Sequence, residues 1–277
     1  EAGDEIILPI PYYFNHQMWL EVLGIKAVHL GCNMSQGGLP DIDEARRLIG
    51  KKTKAIVLVT PNNPTGATYP SDLLKGFFKL CQKHGIKLII DETYKDFLTE
   101  QPPHQLFEIS DWGGTLIQVY SFSKCFSLTG YRVGSVIAGE NVIESVTKIM
   151  DSVAICAPRI AQDAALYGLE HLTSWVAEKR NMLKRRRELF NKLFRENNLG
   201  FEVISSGAYF AYVEHQYDNK NAYQVAQDLL DKENILSLPG TFFGPNQERF
   251  LRFAYANITR KEITDVIDRL NVSFNKP

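Results

Sequence analysis

The fold is decided by the stretch TLIQVYSFSKCFSLTGYRVG, residues 115–134. Its first six residues form a mostly apolar run, which is typical of a buried strand. The polar residues Ser121, Ser123 and Lys124 follow directly, and Arg132 stands eight positions after the lysine. A lysine at the end of a strand is partly desolvated, and desolvation lowers its pKa toward the neutral, nucleophilic amine.

The polar groups of this stretch have the chemistry of a phosphate site. Serine hydroxyls and a guanidinium are donors that bind phosphate oxygens well. A nucleophilic lysine beside such donors indicates pyridoxal phosphate (PLP) held as a Schiff base. A Ser-x-Ser-Lys sequence on its own fits a solvated lysine in a loop equally well, so the rest of the chain has to distinguish the two.

Further apolar runs predict a mainly parallel sheet flanked by helices, an α/β fold. Residues 55–59, 87–90 and 135–138 are short aliphatic runs, typical of strands buried on both faces. Helical patterns alternate with these runs, which favours right-handed crossovers. Polar residues follow three of the predicted strands: Asn63, Asp91 and Lys124. Ligands of open α/β sheets bind at this carboxyl edge, so we expect these side chains to lie together.

The second half of the chain has a different pattern. Apolar residues recur every seven positions from Leu169 to Phe190 and predict one long amphipathic helix over about 169–197. Short strands and helices follow it, as in an α+β unit. We therefore predict a large domain over 1–165 and a smaller α+β domain over 166–277, joined by the long helix.

Two local patterns in this half are typical of ordinary helix structure. The basic run Lys184–Arg187 lies within the predicted long helix. We interpret it as a solvated helix face rather than a nucleic-acid-binding surface. The sequence from Thr259 to Glu262 predicts a capping box at the start of the last helix.

The composition excludes some partners and says little about the reaction. The 277 residues include 31 Lys and Arg against 32 Asp and Glu, a net charge of −1, so no global charge favours nucleic acid or a membrane surface. No apolar run approaches the ~18 residues of a membrane span. The four cysteines lack metal-ligand or disulfide spacing, and no signal-peptide pattern opens the sequence. A cytoplasmic enzyme with no metal is therefore predicted.

If PLP is bound, four further residues have suitable chemistry. The pyridine nitrogen requires a carboxylate, for which Asp91 is the candidate, although a turn or cap aspartate is the alternative. The ring oxygen requires neutral donors such as Asn63 and Tyr94, and the ring face requires an aromatic such as Tyr13. Asn63 also fits a purely local turn, and both tyrosines also fit ordinary packing.

A late arginine is the candidate for the substrate. Arg252 lies in the strand pattern RFLRFAY, residues 249–255, between apolar neighbours. Guanidinium binds a carboxylate in a bidentate manner, so Arg252 is predicted to bind the α-carboxylate of an amino acid. A structural ion pair is the alternative.

Taken together, these motifs resemble the class I/II PLP-dependent aminotransferases, which have the aspartate aminotransferase fold, fold type I. The similarity runs in the family's order over nearly the whole chain. It rests on four motifs: Asn63-Pro64-Thr65-Gly66, Asp91-x-x-Tyr94, Ser121-x-Ser-Lys124 with Arg132, and the late Arg252.

The resemblance implies a role for each motif residue. Lys124, Asp91 and Tyr94 would be the catalytic residues, with Lys124 forming the Schiff base and acting as general base in the 1,3-proton shift. The cofactor-binding residues would be Tyr13, Asn63, Asp91, Tyr94, Ser121, Ser123, Lys124 and Arg132. Arg252, with Asn63, would bind the substrate.

The resemblance also implies an activity. An L-amino acid and a 2-oxo acid would exchange an amino group by a ping-pong mechanism. A homodimer is expected, with each site completed by the partner subunit.

One departure from the family keeps alternatives open. The segment from Ala2 to Ile6 resembles one that lies well inside the family's large domain. The family carries about a hundred residues ahead of it, among them a turn whose amides bind the cofactor phosphate at a helix N-terminus. We therefore expect a piece of a longer product or a truncated protein. The alternatives are a C–S β-lyase or related elimination on the same scaffold, or a non-catalytic fragment that binds PLP weakly or not at all.

Overall fold

The strands of the chain form two sheets. In the computed structural model, which describes residues 1–98, 103–197 and 199–273, eleven strands are present. They are β1 (Glu5–Ile10), β2 (Lys26–Asn33), β3 (Leu39–Pro40), β4 (Thr53–Val59), β5 (Lys87–Asp91), β6 (Leu116–Ser121), β7 (Gly134–Ala138), β8 (Phe201–Gly207), β9 (Phe210–His215), β10 (Leu238–Pro239) and β11 (Phe250–Ala254).

The first sheet is the mainly parallel sheet that the sequence predicts. Its seven strands lie in the order β3-β2-β1-β4-β5-β6-β7. The five central strands β2, β1, β4, β5 and β6 are parallel to one another. The edge strands β3 and β7 are antiparallel to their neighbours. This confirms an α/β fold in which the carboxyl ends of β4, β5 and β6 lie side by side.

Nine helices occur within the described residues, and none of them is long and apolar enough to cross a membrane. They are α1 (Phe14–Val22), α2 (Ile42–Leu48), α3 (Ser71–His84), α4 (Phe122–Cys125), α5 (Glu140–Val153), α6 (Arg159–His171), α7 (Thr173–Glu196), α8 (Ala222–Glu233) and α9 (Arg260–Ser273).

The large sheet is buried because α3 covers one of its faces. Phe77 and Phe78 of α3 are fully buried and belong to one apolar cluster with Ile56 of β4 and Leu88 of β5. The helix ends at Gly85, which adopts φ 64°, a left-handed conformation that glycine reaches without a steric penalty. The packing of α3 on this face thereby holds β4 and β5 in place, and polar residues follow at the carboxyl ends of these strands.

The expected single helix over 169–197 is wrong at its start. Leu172 leaves the helical conformation, with φ −105° and ψ 16°, and separates α6 from α7. The two helices contribute to different apolar clusters: Ala161 and Ala165 of α6 pack with the residues around α4, while Phe190 of α7 packs on the second sheet. The heptad pattern misled because Leu169 continues it in sequence but is 59% exposed in the fold.

The second sheet has its own core. Its strands lie in the order β10-β11-β9-β8 and are antiparallel. Helices α7, α8 and α9 contribute apolar side chains to the cluster that covers it. The predicted capping box is confirmed, since Thr259 N–H donates to Glu262 and Glu262 N–H donates to Thr259 Oγ1. The division into domains 1–165 and 166–277 stays a prediction.

The two sheets meet at a pair of glycines. Gly66, at the end of the Asn-Pro-Thr-Gly turn, adopts φ 69° and lies directly against the backbone of Gly207 at the end of β8. A Cβ on either glycine would overlap the backbone of the other. Ser205 Oγ donates to Thr65 O at 2.7 Å beside them. This close approach brings the turn after β4 up to the strands of the second sheet.

Candidate active site at the carboxyl edge of the large sheet

The structure places the polar ends of three adjacent parallel strands next to one another. Asp91 is the last residue of β5 and pairs with Val59 of β4 on one side and Val119 of β6 on the other. Asn63 lies in the turn that follows β4, and Lys124 lies in α4 directly after β6. The predicted convergence at this edge is therefore present in the fold.

Asp91 is held in its ionised form. Burial by itself would raise the pKa of Asp91, but the imidazole of His16 and the hydroxyl of Thr93 outweigh it, and the pKa lies below its ordinary value. His16 Nε2 lies 3.4 Å from Asp91 Oδ2. Thr93 donates to Oδ1 from its backbone N–H at 3.0 Å and from its hydroxyl at 2.7 Å. The site thus contains a fixed negative charge near neutral pH.

Lys124 is the half-buried amine that the sequence predicts. Desolvation lowers its pKa, and the positive charges of Arg132 and Arg252 lower it further. The side chain borders a cavity of about 400 Å³ that Tyr94, Tyr209 and Phe210 also line. Its backbone carbonyl accepts a hydrogen bond from Tyr209 Oη at 3.3 Å. A larger fraction of this lysine is therefore neutral than of a solvated one.

Arg252 reaches the same edge from the second sheet. Its Nη1 donates to Asn63 Oδ1 at 2.8 Å, so this hydrogen bond joins β11 of the second sheet to the turn after β4. The guanidinium lies over the ring of Phe210, 4.4 Å from the ring centre. Its Nε is buried and has no hydrogen-bond partner within the described residues. A buried guanidinium N–H without an acceptor indicates a place for an anion.

The two predicted tyrosines lie close to these charges. Tyr94 is buried in edge contact with Tyr209 and Phe210, and burial raises its pKa, so the phenol remains protonated. Tyr13 directly precedes α1, and its pKa is raised by burial and by the nearby charge of Asp91. Both tyrosines are therefore neutral groups near Asp91.

The three residues predicted to bind phosphate lie at the end of β6 and in the segment that connects β6 to β7. Ser121 caps α4, and its Oγ accepts from Ser123 N–H at 3.2 Å, which leaves the Ser121 hydroxyl hydrogen available. Arg132 is exposed and donates to Thr129 O at 2.9 Å. Ser123 is buried, and its carbonyl accepts from the Thr129 hydroxyl at 3.3 Å. Ser121 and Arg132 thus keep donors available, and the contacts given for Ser123 are made by its backbone and do not engage its hydroxyl.

Sequence reasoning missed His16. It lies in the first turn of α1, three residues after Tyr13, with its ring edge-on to that tyrosine at 5.6 Å between ring centres. Residues three apart on a helix share a face, so the candidate Tyr13 implied a second residue facing the site. The spacing was the available signal, but nothing in the sequence named Asp91 as the partner.

Comparisons with known proteins give the family. The model for aminotransferases of class I and II matches residues 1–270. The chain therefore belongs to the class I and II aminotransferase family, whose members are in general PLP-dependent transaminases. The aspartate aminotransferase fold inferred from the motifs is confirmed by solved structures.

The individual relatives agree with this assignment. The chain is 30% identical over 273 residues to an aspartate aminotransferase of Pyrococcus horikoshii, covering 98% of the chain and 69% of that protein. It is 29% identical over 280 residues to an aromatic aminotransferase of Arabidopsis thaliana, covering 98% and 68%. The crystal structure of an aromatic aminotransferase from Pyrococcus horikoshii superposes with a TM-score of 0.92 at 25% identity, covering 99% and 74%. The chain spans about two thirds of the length of its curated relatives.

Proposed function

We propose that this chain is a PLP-dependent aminotransferase that moves an amino group between an L-amino acid and a 2-oxo acid, with the cofactor held at Lys124. The observation that carries the proposal is the meeting of Lys124, Asp91 and Asn63 at the ends of three adjacent strands, with Arg252 hydrogen-bonded to Asn63. Family membership supports the same reaction.

The residues present fit the cofactor. An accessible carboxylate with a lowered pKa suits a protonated pyridine nitrogen, and Asp91 is such a group. A lysine with a lowered pKa suits an aldehyde, and Lys124 is that lysine. Ser121 and Arg132 retain donors for a phosphate. The donor set therefore contains a partner for each polar group of PLP.

The bound cofactor would supply an electrophilic carbon and an electron-accepting ring, and the chain's residues control charge and protons around it. Asp91 would keep a proton on the ring nitrogen, because His16 and Thr93 hold its own pKa below the ordinary value. Lys124 accepts a proton at Nζ and returns it, because desolvation keeps the amine partly neutral.

Neutral donors and the arginine orient the reactants. Tyr94 stays protonated because burial raises its pKa, so its hydroxyl would be available to donate to the cofactor's ring oxygen. Asn63 fixes the guanidinium of Arg252 from one side, and the buried Nε of Arg252 donates to the substrate carboxylate. Tyr13 would stack on the ring and exclude water from that face.

The proposal includes a cytoplasmic homodimer. Apolar side chains on α5 and α6 are exposed, among them Ile149, Val153 and Ile160 at 61%, 77% and 69%. A second copy of the chain would cover such a face, and the resemblance to the family favours it. Light scattering on the purified protein tests this, with a monomeric mass as the contrary result.

The central test compares two lysines of one cavity. We expect the purified chain to take up PLP, become yellow, and retain the cofactor covalently after borohydride reduction. Lys124→Ala should lose this attachment. Lys179→Ala should keep it, since Lys179 borders the same cavity but lies over the ring of Trp175. Covalent attachment that persists in Lys124→Ala would show that the proposed attachment residue is wrong.

The reaction itself is tested by product analysis. Incubation with an L-amino acid and 2-oxoglutarate should yield glutamate and the corresponding 2-oxo acid. Release of ammonia and pyruvate without amino-group transfer would instead identify an elimination. A colourless protein that takes up no PLP would support a non-catalytic fragment.

A further inference from the structure

A second cavity lies between the start of α3 and helix α7, away from Lys124. Its volume is about 320 Å³, in the range of small-molecule sites. Phe97 and Leu183 form part of its wall and also border the cavity of Lys124, so the two spaces are neighbours. Lys124, Asp91 and Arg252 do not line it.

The basic run of α7 supplies the charge of this cavity. Lys184 and Arg187 are three positions apart, lie on one helix face and both line the cavity. Arg185 borders a different surface with Glu178, and Arg186 donates to Ala256 O. The four cations of the run, which the sequence predicted to form one solvated face, therefore have three different surroundings. Two of them, Lys184 and Arg187, line one cavity.

Arg187 lacks a counter-charge among the described residues. It is half-buried, and none of them forms an ion pair or hydrogen bond with its side chain. Lys184 Nζ lies 4.0 Å from Glu188 Oε1, a long ion pair between two exposed side chains. Arg187 and Lys184 therefore make this wall of the cavity positively charged, which favours a negatively charged occupant.

A buried hydroxyl on the same cavity is also unpaired. Tyr255 is fully buried, lines the cavity, and its Oη has no hydrogen-bond partner within the described residues. Its ring packs against Phe190, so the side chain is fixed in place. Arg187 is close enough to act electrostatically on this hydroxyl. An unsatisfied buried hydroxyl beside an unpaired guanidinium indicates a missing acceptor.

The start of α3 adds donors on the opposite wall. Thr68, Pro70 and Ser71 line the cavity, and α3 begins at Ser71 without a side-chain cap. Pro70 has no side-chain acceptor, so the N-cap side chain leaves the first amides of this 14-residue helix uncapped. Helix N-termini stabilise anions through such amides.

From these contacts we propose that the cavity binds a small organic phosphate. The phosphate would lie between Arg187, Lys184 and the start of α3 and accept the hydroxyl of Tyr255. The apolar body would lie against Phe97 and Leu183. The occupant would thereby connect α3 beside the large sheet with α7 beside the small one. The site is separate from the proposed PLP site, so either can fail without the other.

The test uses phenyl phosphate as the probe, titrated by calorimetry into the PLP-loaded, desalted chain. We expect saturable binding, weaker binding of inorganic phosphate because it lacks the apolar body, and a 10- to 100-fold loss of phenyl phosphate affinity in Arg187→Gln, about the effect of removing a charged hydrogen-bond donor. Arg185→Gln is the matched control on the same helix and should change the affinity less than about twofold.

Two more variants separate this cavity from the proposed PLP site. Tyr255→Phe should weaken phenyl phosphate binding about 5- to 10-fold without lowering the melting temperature of the free protein, because the lost hydroxyl has no partner there. Arg132→Gln, which alters the proposed cofactor-phosphate donor, should leave the affinity unchanged. The proposal is overturned if phenyl phosphate does not bind, if Arg185→Gln weakens binding as much as Arg187→Gln, or if only Arg132→Gln abolishes it.

Discussion

Asp91 and Glu92 are neighbours in sequence, and each carboxylate faces a histidine, yet the two lie in different environments. Asp91 Oδ2 lies 3.4 Å from His16 Nε2, with 14% of the Asp91 side chain exposed. Glu92 Oε1 lies 3.3 Å from His104 Nε2, with none of the Glu92 side chain exposed. One carboxylate is accessible at the edge of the sheet, and the other is enclosed in the fold.

The difference shows what separates an accessible carboxylate from an enclosed one. The carboxylate of Asp91 has access to the site and a pKa lowered by its donors. Glu92 is surrounded by groups of the chain itself, since Gln118 Nε2 donates to its second oxygen and His104 faces the first. A carboxylate enclosed by its own chain has no room for a ligand, so a histidine partner by itself does not identify a site.

Asp91→Asn should have the largest effect on activity. The amide cannot hold the charge that faces the cofactor's ring nitrogen, and loss of one fixed electrostatic partner costs about 10²- to 10³-fold in turnover. The variant should lose only a small part of its stability to urea near neutral pH, because the amide oxygen can still accept from Thr93. Transamination rates and urea melts measured together check this. Unchanged turnover would remove Asp91 from the proposed mechanism.

Glu92→Ala should have the opposite profile. Gln118 would be left as a buried donor without its acceptor and His104 would lose the carboxylate that faces it, which costs about 2–5 kcal/mol of unfolding free energy. Turnover per folded molecule should stay close to that of the parent at a temperature well below melting. Glu92→Gln, which keeps the shape, should lose less stability. A large loss of turnover with unchanged stability would contradict the structural role.

His16→Ala should have a smaller effect, through Asp91. Without the imidazole the pKa of Asp91 rises, because the carboxylate loses one of its hydrogen-bond donors. We therefore expect a loss of turnover well below the roughly 10²- to 10³-fold loss of Asp91→Asn. His16→Gln, which keeps a donor, should recover part of it. If Ala and Gln behave alike, the histidine acts by packing and not through Asp91.

The acid dependence of stability should show the smallest effect. The pKa of Asp91 is lower in the folded chain than its ordinary value of 3.8. On acidification the unfolded chain therefore takes up the proton first, and the contribution of Asp91 to stability, complete above about pH 4, is lost as the pH falls through the folded pKa. Asp91→Asn should fall less steeply below about pH 4 in urea melts. Glu92→Gln serves as a comparison at the adjacent carboxylate.

The sequence was informative wherever the signal was local. The apolar runs predicted β4, β5, β6 and β7 to within a few residues, because a strand buried on both faces requires such a run. The capping box at Thr259 was also local, since both of its hydrogen bonds span three residues. The motif order gave the family because each group of the cofactor requires a specific residue type.

Contacts between distant segments could not be predicted. Gly66 needs to be glycine because Gly207 lies against it, a contact that joins residues far apart in the chain. The helix break at Leu172 follows from two separate apolar clusters, which the heptad pattern does not register. His16 and His104 acquire their roles only through the carboxylates that they face.

The sequence by itself therefore determined the parallel sheet, the lysine after β6 and the polar residues at the strand ends, because these depend on short runs of the chain. Tertiary structure alone decided that Arg252 binds Asn63 from the second sheet, that His16 faces Asp91 while His104 faces Glu92, and that Lys184 and Arg187 share a cavity with Tyr255. The physical reason is that charge and hydrogen bonding act over a few ångströms in space, whatever the separation along the chain.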